Sequence, residues 1–107
     1  MAEINEVNLL ALAKETLGIV ASATAKDTSL QMIINAGKDD MERAGIVVDT
    51  TNSLVLNALM TYVKANFGIS SPEEKAKFLS AYQLYLAELS LSDGYKEEDN
   101  VDGGLND

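Results

Sequence analysis

Apolar residues recur at helical intervals in four stretches of this chain, and small or polar residues punctuate the gaps between them. The cleanest period lies in the second stretch. There Leu30, Ile33, Ile34, Gly37, Met41 and Ala44 fall at i, i+3, i+4, i+7, i+11 and i+14, one face of a 3.6-residue helix. A first helix is predicted over about 4–17, with Val7, Leu9, Leu10, Leu12, Ala13 and Leu17 as its apolar contacts. A third, over about 53–67, is apolar across a wide arc (Leu54, Val55, Leu56, Ala58, Leu59, Met60, Tyr62, Val63, Phe67), which places it centrally. The fourth, over about 72–91, carries Phe78, Leu79, Tyr82, Leu84, Tyr85, Leu86, Leu89 and Leu91 on more than one face. That is more than a small bundle needs for its own core, so a second contact surface is expected. The fold class is all-α: a four-helix domain over 1–92 with short loops, then a disordered acidic tail over 93–107.

The boundaries follow from cap chemistry. Gly18, Gly45 and Gly68 stand where the first three helices should stop, because a left-handed terminal residue costs glycine little. Asp27, Thr28 or Ser29 can cap the second helix, and Asn52 or Ser53 the third, by accepting a hydrogen bond from a free first-turn N–H. Ser71, Pro72 and Glu74 spell a capping box with proline at the first helical position. Gly37 on the apolar stripe predicts a close helix crossing, since a helix-interior glycine otherwise costs about 1 kcal/mol relative to alanine. Ile46-Val47-Val48 reads as an extended loop or a short strand, tucked under the helices or turned toward a neighbouring subunit.

Composition narrows the chemistry. The 107 residues contain no cysteine and no histidine. Disulfides, thiol nucleophiles and Cys-based zinc sites are thereby excluded, as are the commonest general base and the commonest transition-metal ligand. No cofactor or metal is expected, and the chain does not read as an enzyme. The net charge is −9, of which residues 93–107 contribute −5. No basic cluster offers a phosphate-binding surface, so sequence-specific nucleic-acid binding is not expected. An Ala-x-Ala pattern at Ala21, Ala23 and Ala25 imitates a signal-peptide cleavage site, but Glu3, Glu6, Lys14 and Glu15 precede it without a basic leader. No stretch approaches the ~20 apolar residues of a membrane span, and a soluble intracellular protein is expected.

Two acidic constellations stand out. Asp39, Asp40 and Glu42 could form a metal or acid–base site, but Lys38–Glu42 and Asp39–Arg43 at i,i+4 favour a solvated helix face. In the tail, Glu98, Asn100, Asp102 and Gly103 imitate the first half of a calcium loop, which lacks its position-12 glutamate. Among the tyrosines, Tyr62 and Tyr82 suit a core with hydroxyls at its edge, whereas Tyr85 and Tyr95 are interface candidates.

Order and spacing of these segments carry a family resemblance. The segments are Leu12-Ala13-Lys14-Glu15-Thr16-Leu17-Gly18-Ile19, then 33–46 with Gly37, Met41, Ala44 and Gly45, then 58–68 from Ala58 through Tyr62 to Phe67-Gly68. Last comes 78–95, with Ser90-Leu91-Ser92 followed by Tyr95. Together they resemble the head–tail connector family of tailed phages and prophages, the portal adaptors of head completion. The resemblance implies a structural virion protein at the head–tail junction, with a stage in the host cytoplasm during assembly. It implies self-association as a ring, usually of twelve copies, and contacts with the portal protein and with the next head-completion or tail protein. DNA would pass through the ring's channel, which an acidic wall would not retain. Ile46, Val47, Val48, Asp49, Tyr85, Leu89, Leu91 and Tyr95 are the expected subunit or portal interface. Two other readings remain at this point: a helical binding module that forms one-to-one complexes, and a carboxylate enzyme built on Asp39, Asp40 or Glu42.

Overall fold

The computed structural model describes residues 8–68 and 71–91. Every regular element among them is a helix: α1 (Leu9–Leu17), α2 (Asp27–Arg43), α3 (Ser53–Asn66) and α4 (Pro72–Leu91). The all-α expectation holds. The expected tail, with Tyr95 and the calcium-loop imitation, lies outside the described residues, as do residues 4–7 of the predicted first helix.

Three helix starts show how local chemistry sets the boundaries, and the fourth shows where it loses to a longer-range contact. Asn8 is the cap of α1. Its backbone is extended (φ −74°, ψ 97°) and its side chain accepts from the Ala11 N–H at 3.0 Å, so α1 begins at Leu9. Asn52 caps α3, accepting from the N–H groups of Leu54 and Val55 at 2.9 and 3.0 Å. Before α4 the capping box closes both ways: Ser71 Oγ accepts from the Glu74 N–H, and Glu74 Oε1 accepts from the Ser71 N–H.

The start of α2 corrects the sequence reading. None of Asp27, Thr28 and Ser29 caps it; Lys26 occupies the cap position without a side-chain hydrogen bond. Asp27 is already inside the helix, and its Oδ1 lies 2.9 Å from Lys14 Nζ on α1. The same ammonium donates to the Ala21 carbonyl at 3.0 Å. Lys14 is buried, so its stem fills space between α1 and α2 while its ammonium meets the Asp27 carboxylate and the Ala21 carbonyl. One side chain thus ties α1, the 19–26 connector and α2 together.

The core gathers Leu30, Ile34 and Met41 of α2, Val55, Leu59 and Val63 of α3, and Tyr82, Leu86 and Leu89 of α4. Ala13 of α1 and Ile46 of the α2–α3 loop complete it. Helix α3 touches each of the other three, which fits its wide apolar arc. Gly37 lets α2 lie close against it. A Cβ there would stand 2.8 Å from Leu59 Cδ1 and 2.9 Å from the Tyr62 ring, so no larger residue fits without displacing them. Gly18, at the end of α1, has φ +77°, a conformation glycine adopts without the Cβ penalty.

Candidate docking surface

The interface positions expected from the sequence fall into three groups. Ile46 and Leu89 are each about 1% exposed. Their side chains lie inside the domain, so they hold the fold together and offer a partner nothing directly. This corrects their reading as contact residues. Leu89 sits on the same α4 stripe as Tyr82 and Leu86, three and four residues apart, and that stripe is the one α3 covers. Ile46 is tied down by its N–H, which donates to the Met41 carbonyl at 3.0 Å.

The second group is accessible. Val47 is exposed, while Val48 and Asp49 are half-buried in the same extended loop. Asp49 shapes the loop's far end. Its Oδ1 accepts from the Thr51 hydroxyl at 2.6 Å and from the Thr51 N–H at 3.0 Å. The hydroxyl contact, seconded by the backbone one, holds the carboxyl below the ordinary carboxylate range. Tyr85 is half-buried against the core, and Leu91 is 83% exposed at the end of α4. The third group is Tyr95, outside the described residues.

The sequence did not single out Leu84 as an interface position, yet it is 69% exposed and sits beside Tyr85. With Ala81, Ala87, Glu88 and Leu91 these residues line a shallow apolar groove of about 440 Å³ on the outer side of α4. Leu84 and Leu91 are two helical turns apart on one stripe, with the small Ala87 between them. A second groove, about 500 Å³, is lined by Leu10, Ala11, Ile19 and Ala21, with Asn8, Lys14 and Glu15 at its margin.

Of the acidic cluster on α2, Asp40 has a structural role, while Asp39 and Glu42 are exposed. Tyr82 of α4 donates its hydroxyl to Asp40 Oδ2 at 2.7 Å, and Arg43 Nη2 approaches Asp40 Oδ1 at 3.7 Å. Arg43 therefore meets Asp40 at i,i+3, not Asp39 at i,i+4 as the spacing suggested, because Asp40 is the carboxylate turned toward α4. Burial, seconded by the neighbouring carboxylate, pushes the Tyr82 hydroxyl well above its ordinary pKa. Tyr82 also meets the Tyr62 ring edge-on at 5.2 Å, so it is a core residue with its hydroxyl satisfied at the edge. Among the described residues no group of three or more carboxylates could hold a metal ion, and no helix is long and apolar enough to cross a membrane.

The class is that of a small all-α domain with a closed core and an apolar outer edge. The family is then given by the sequence profile of the phage connector protein family, which matches residues 9–96. The chain belongs to that family, the head–tail connectors of phages. It is accordingly a phage structural component of the virion that contacts other head or tail proteins. No curated protein and no solved structure matches the chain.

Proposed function

We propose that this chain is one subunit of a ring that docks on the portal, extends the DNA channel and presents a platform to the next head-completion or tail protein. Twelve copies, matching the portal, complete the ring. Family membership supports this reading, and the observation that carries it is the exposed apolar edge of α4. Leu84 and Leu91 stand in solvent on a domain whose core is already closed by Tyr82, Leu86 and Leu89. Two large exposed leucines on one stripe, beside a half-buried tyrosine, have the makeup of an interface core. Val47, Val48 and Asp49 form a second contact, with Tyr95 beyond α4. The acidic balance suits a channel wall along which DNA slides without binding.

Sedimentation velocity of the protein with the portal protein of the same genome tests the proposal. Co-sedimentation at one copy per portal subunit is the expected result. A monomer that ignores the portal would instead favour a helical module engaging some other protein one to one. An alanine pair at Tyr85 and Leu89 is unsuited to the test, since Leu89 lies in the core. Leu84 and Leu91 are the positions to change.

A further inference from the structure

We infer that α1 and the 19–26 connector form a detachable segment, clasped to α2 by the Lys14–Asp27 ion pair, which opens and closes as a unit while α2, α3 and α4 stay folded. The inference concerns this chain by itself and does not depend on the ring reading. Helix α1 rests on α2 and α3, so opening bares apolar surface on both.

Packing sets α1 apart. Ala13 is its only fully buried apolar residue, and that side chain is a single methyl group. Leu9, Leu10, Leu12 and Leu17 are only partly buried against the core, as is Ile19 just beyond. The largest fully buried side chains, among them Leu30, Ile34, Met41, Leu59, Tyr82 and Leu89, all belong to the rest of the domain. Helices α2, α3 and α4 therefore keep their core when α1 leaves, whereas hydrophobic burial holds α1 less firmly. Helix α1 is also short. Its nine residues fall below the ~12–15 that sustain a helix alone in water, so undocking and unwinding of α1 are one event.

The connector adds little apolar hold. Residues 20–26 are all exposed, and the chain enters the connector from Gly18 in its left-handed conformation. Backbone hydrogen bonds there run to near neighbours, as from the Ile19 N–H to the Lys14 carbonyl and from the Ala23 N–H to the Val20 carbonyl. What reaches across is the Lys14 side chain. Its Nζ lies 2.9 Å from Asp27 Oδ1 and donates to the Ala21 carbonyl at 3.0 Å, with only 7% of the side chain exposed. Asp27 Oδ1 is itself out of water and has no other partner among the described residues. Charges so placed are costly to leave unpaired, so removing one member leaves the other in need of water. Opening supplies that water. The Asp27 side chain is already 30% exposed, and Lys14 departs with α1. Release of this segment is then a smaller disruption than unfolding of the domain.

Hydrogen exchange of the full chain, read residue by residue by NMR on wild type, Lys14→Met and Tyr82→Phe, tests the inference. In wild type, the amides of residues 13–17 should exchange through one opening, at least tenfold more populated than the opening that frees residues 55–63 of α3. Lys14→Met should populate the α1 opening at least tenfold further, with α2, α3 and α4 still folded. Tyr82→Phe loosens the link between α4 and α2, so it should speed exchange in α3 about tenfold and leave residues 13–17 at the wild-type rate. A segment that opened only with the whole domain would instead follow α3. Exchange of α1 and α3 in step across the three proteins would overturn the inference. So would a Lys14→Met chain that fails to fold, or one whose α1 exchanges as wild type does.

Discussion

Helices α3 and α4 look alike in sequence, each apolar around much of its circumference, yet they meet different fates. Helix α3 is covered on several sides: Val55, Ala58, Leu59, Met60, Val63 and Ala65 are all buried. Helix α4, longer at 20 residues, buries only Tyr82, Leu86 and Leu89 and leaves Leu84 and Leu91 in water. The difference is one of position. Helix α3 has neighbours in α1, α2 and α4, whereas α4 rests chiefly on α3 and forms an edge. A wide apolar arc thus means either a central helix or one with an exposed apolar edge, and only the packing tells them apart.

Substitution on the two faces of α4 sharpens that contrast most. Leu59→Ala in α3 and Leu89→Ala in α4 should each cost about 2–5 kcal/mol in chemical denaturation, the range for emptying a buried leucine site. If Leu89→Ala costs no more than a surface change, the inward stripe of α4 has been misplaced.

Tyr82 fastens α4 to α2, and its loss is the next largest effect. Tyr82→Phe keeps the ring and removes a hydrogen bond to a carboxylate, so about 1.5–3 kcal/mol of stability should go. The pH dependence has a definite sign. The folded-state pKa lies above the free value of 10.0, so this group's stabilisation is complete below about pH 10 and is lost as pH rises beyond it. Denaturation curves on either side of pH 10 should show wild type losing stability that Tyr82→Phe no longer has. Parallel profiles for the two proteins would contradict the assignment.

The amino end of α4 should respond less. Ser71→Ala removes one half of the capping box and should lower stability by about 1 kcal/mol. An unchanged unfolding midpoint would mean the box contributes nothing. Smallest of all, Leu84→Ala and Leu91→Ala should each stay within about 0.5 kcal/mol of wild type, since both side chains are in solvent. A cost above 1 kcal/mol for either would show that this edge already serves the monomer.

Much of the frame was legible because the signals that set it are local. The Asn52 cap, the Ser71–Glu74 box, the glycine stops and the Gly37 crossing are each decided within a few residues or by a single missing side chain. What escaped was decided across the chain. Asp27 has the right chemistry for a cap, but Lys14, thirteen residues earlier, engages its carboxylate. Asp40 looked like one of three solvated acids until Tyr82, 42 residues on, donated to it. In α4 the pattern was apolar on too many faces to show which leucine turns inward, so Leu89 read as a contact residue and Leu84 did not. Packing on α3 sorts them. Asn8 was missed because the apolar positions before it, Ile4 and Val7, continue the helical spacing and hide the break.

The claim at the centre is that the outer edge of α4 is an assembly surface. Sedimentation velocity with the portal protein, run on wild type and on the Leu84→Glu, Leu91→Glu double variant, tests it most directly. Wild type should travel with the portal, and the variant, equally stable to heat, should remain at monomer size. A variant that co-sediments as wild type does would contradict the claim and leave the apolar edge of α4 without a role in assembly.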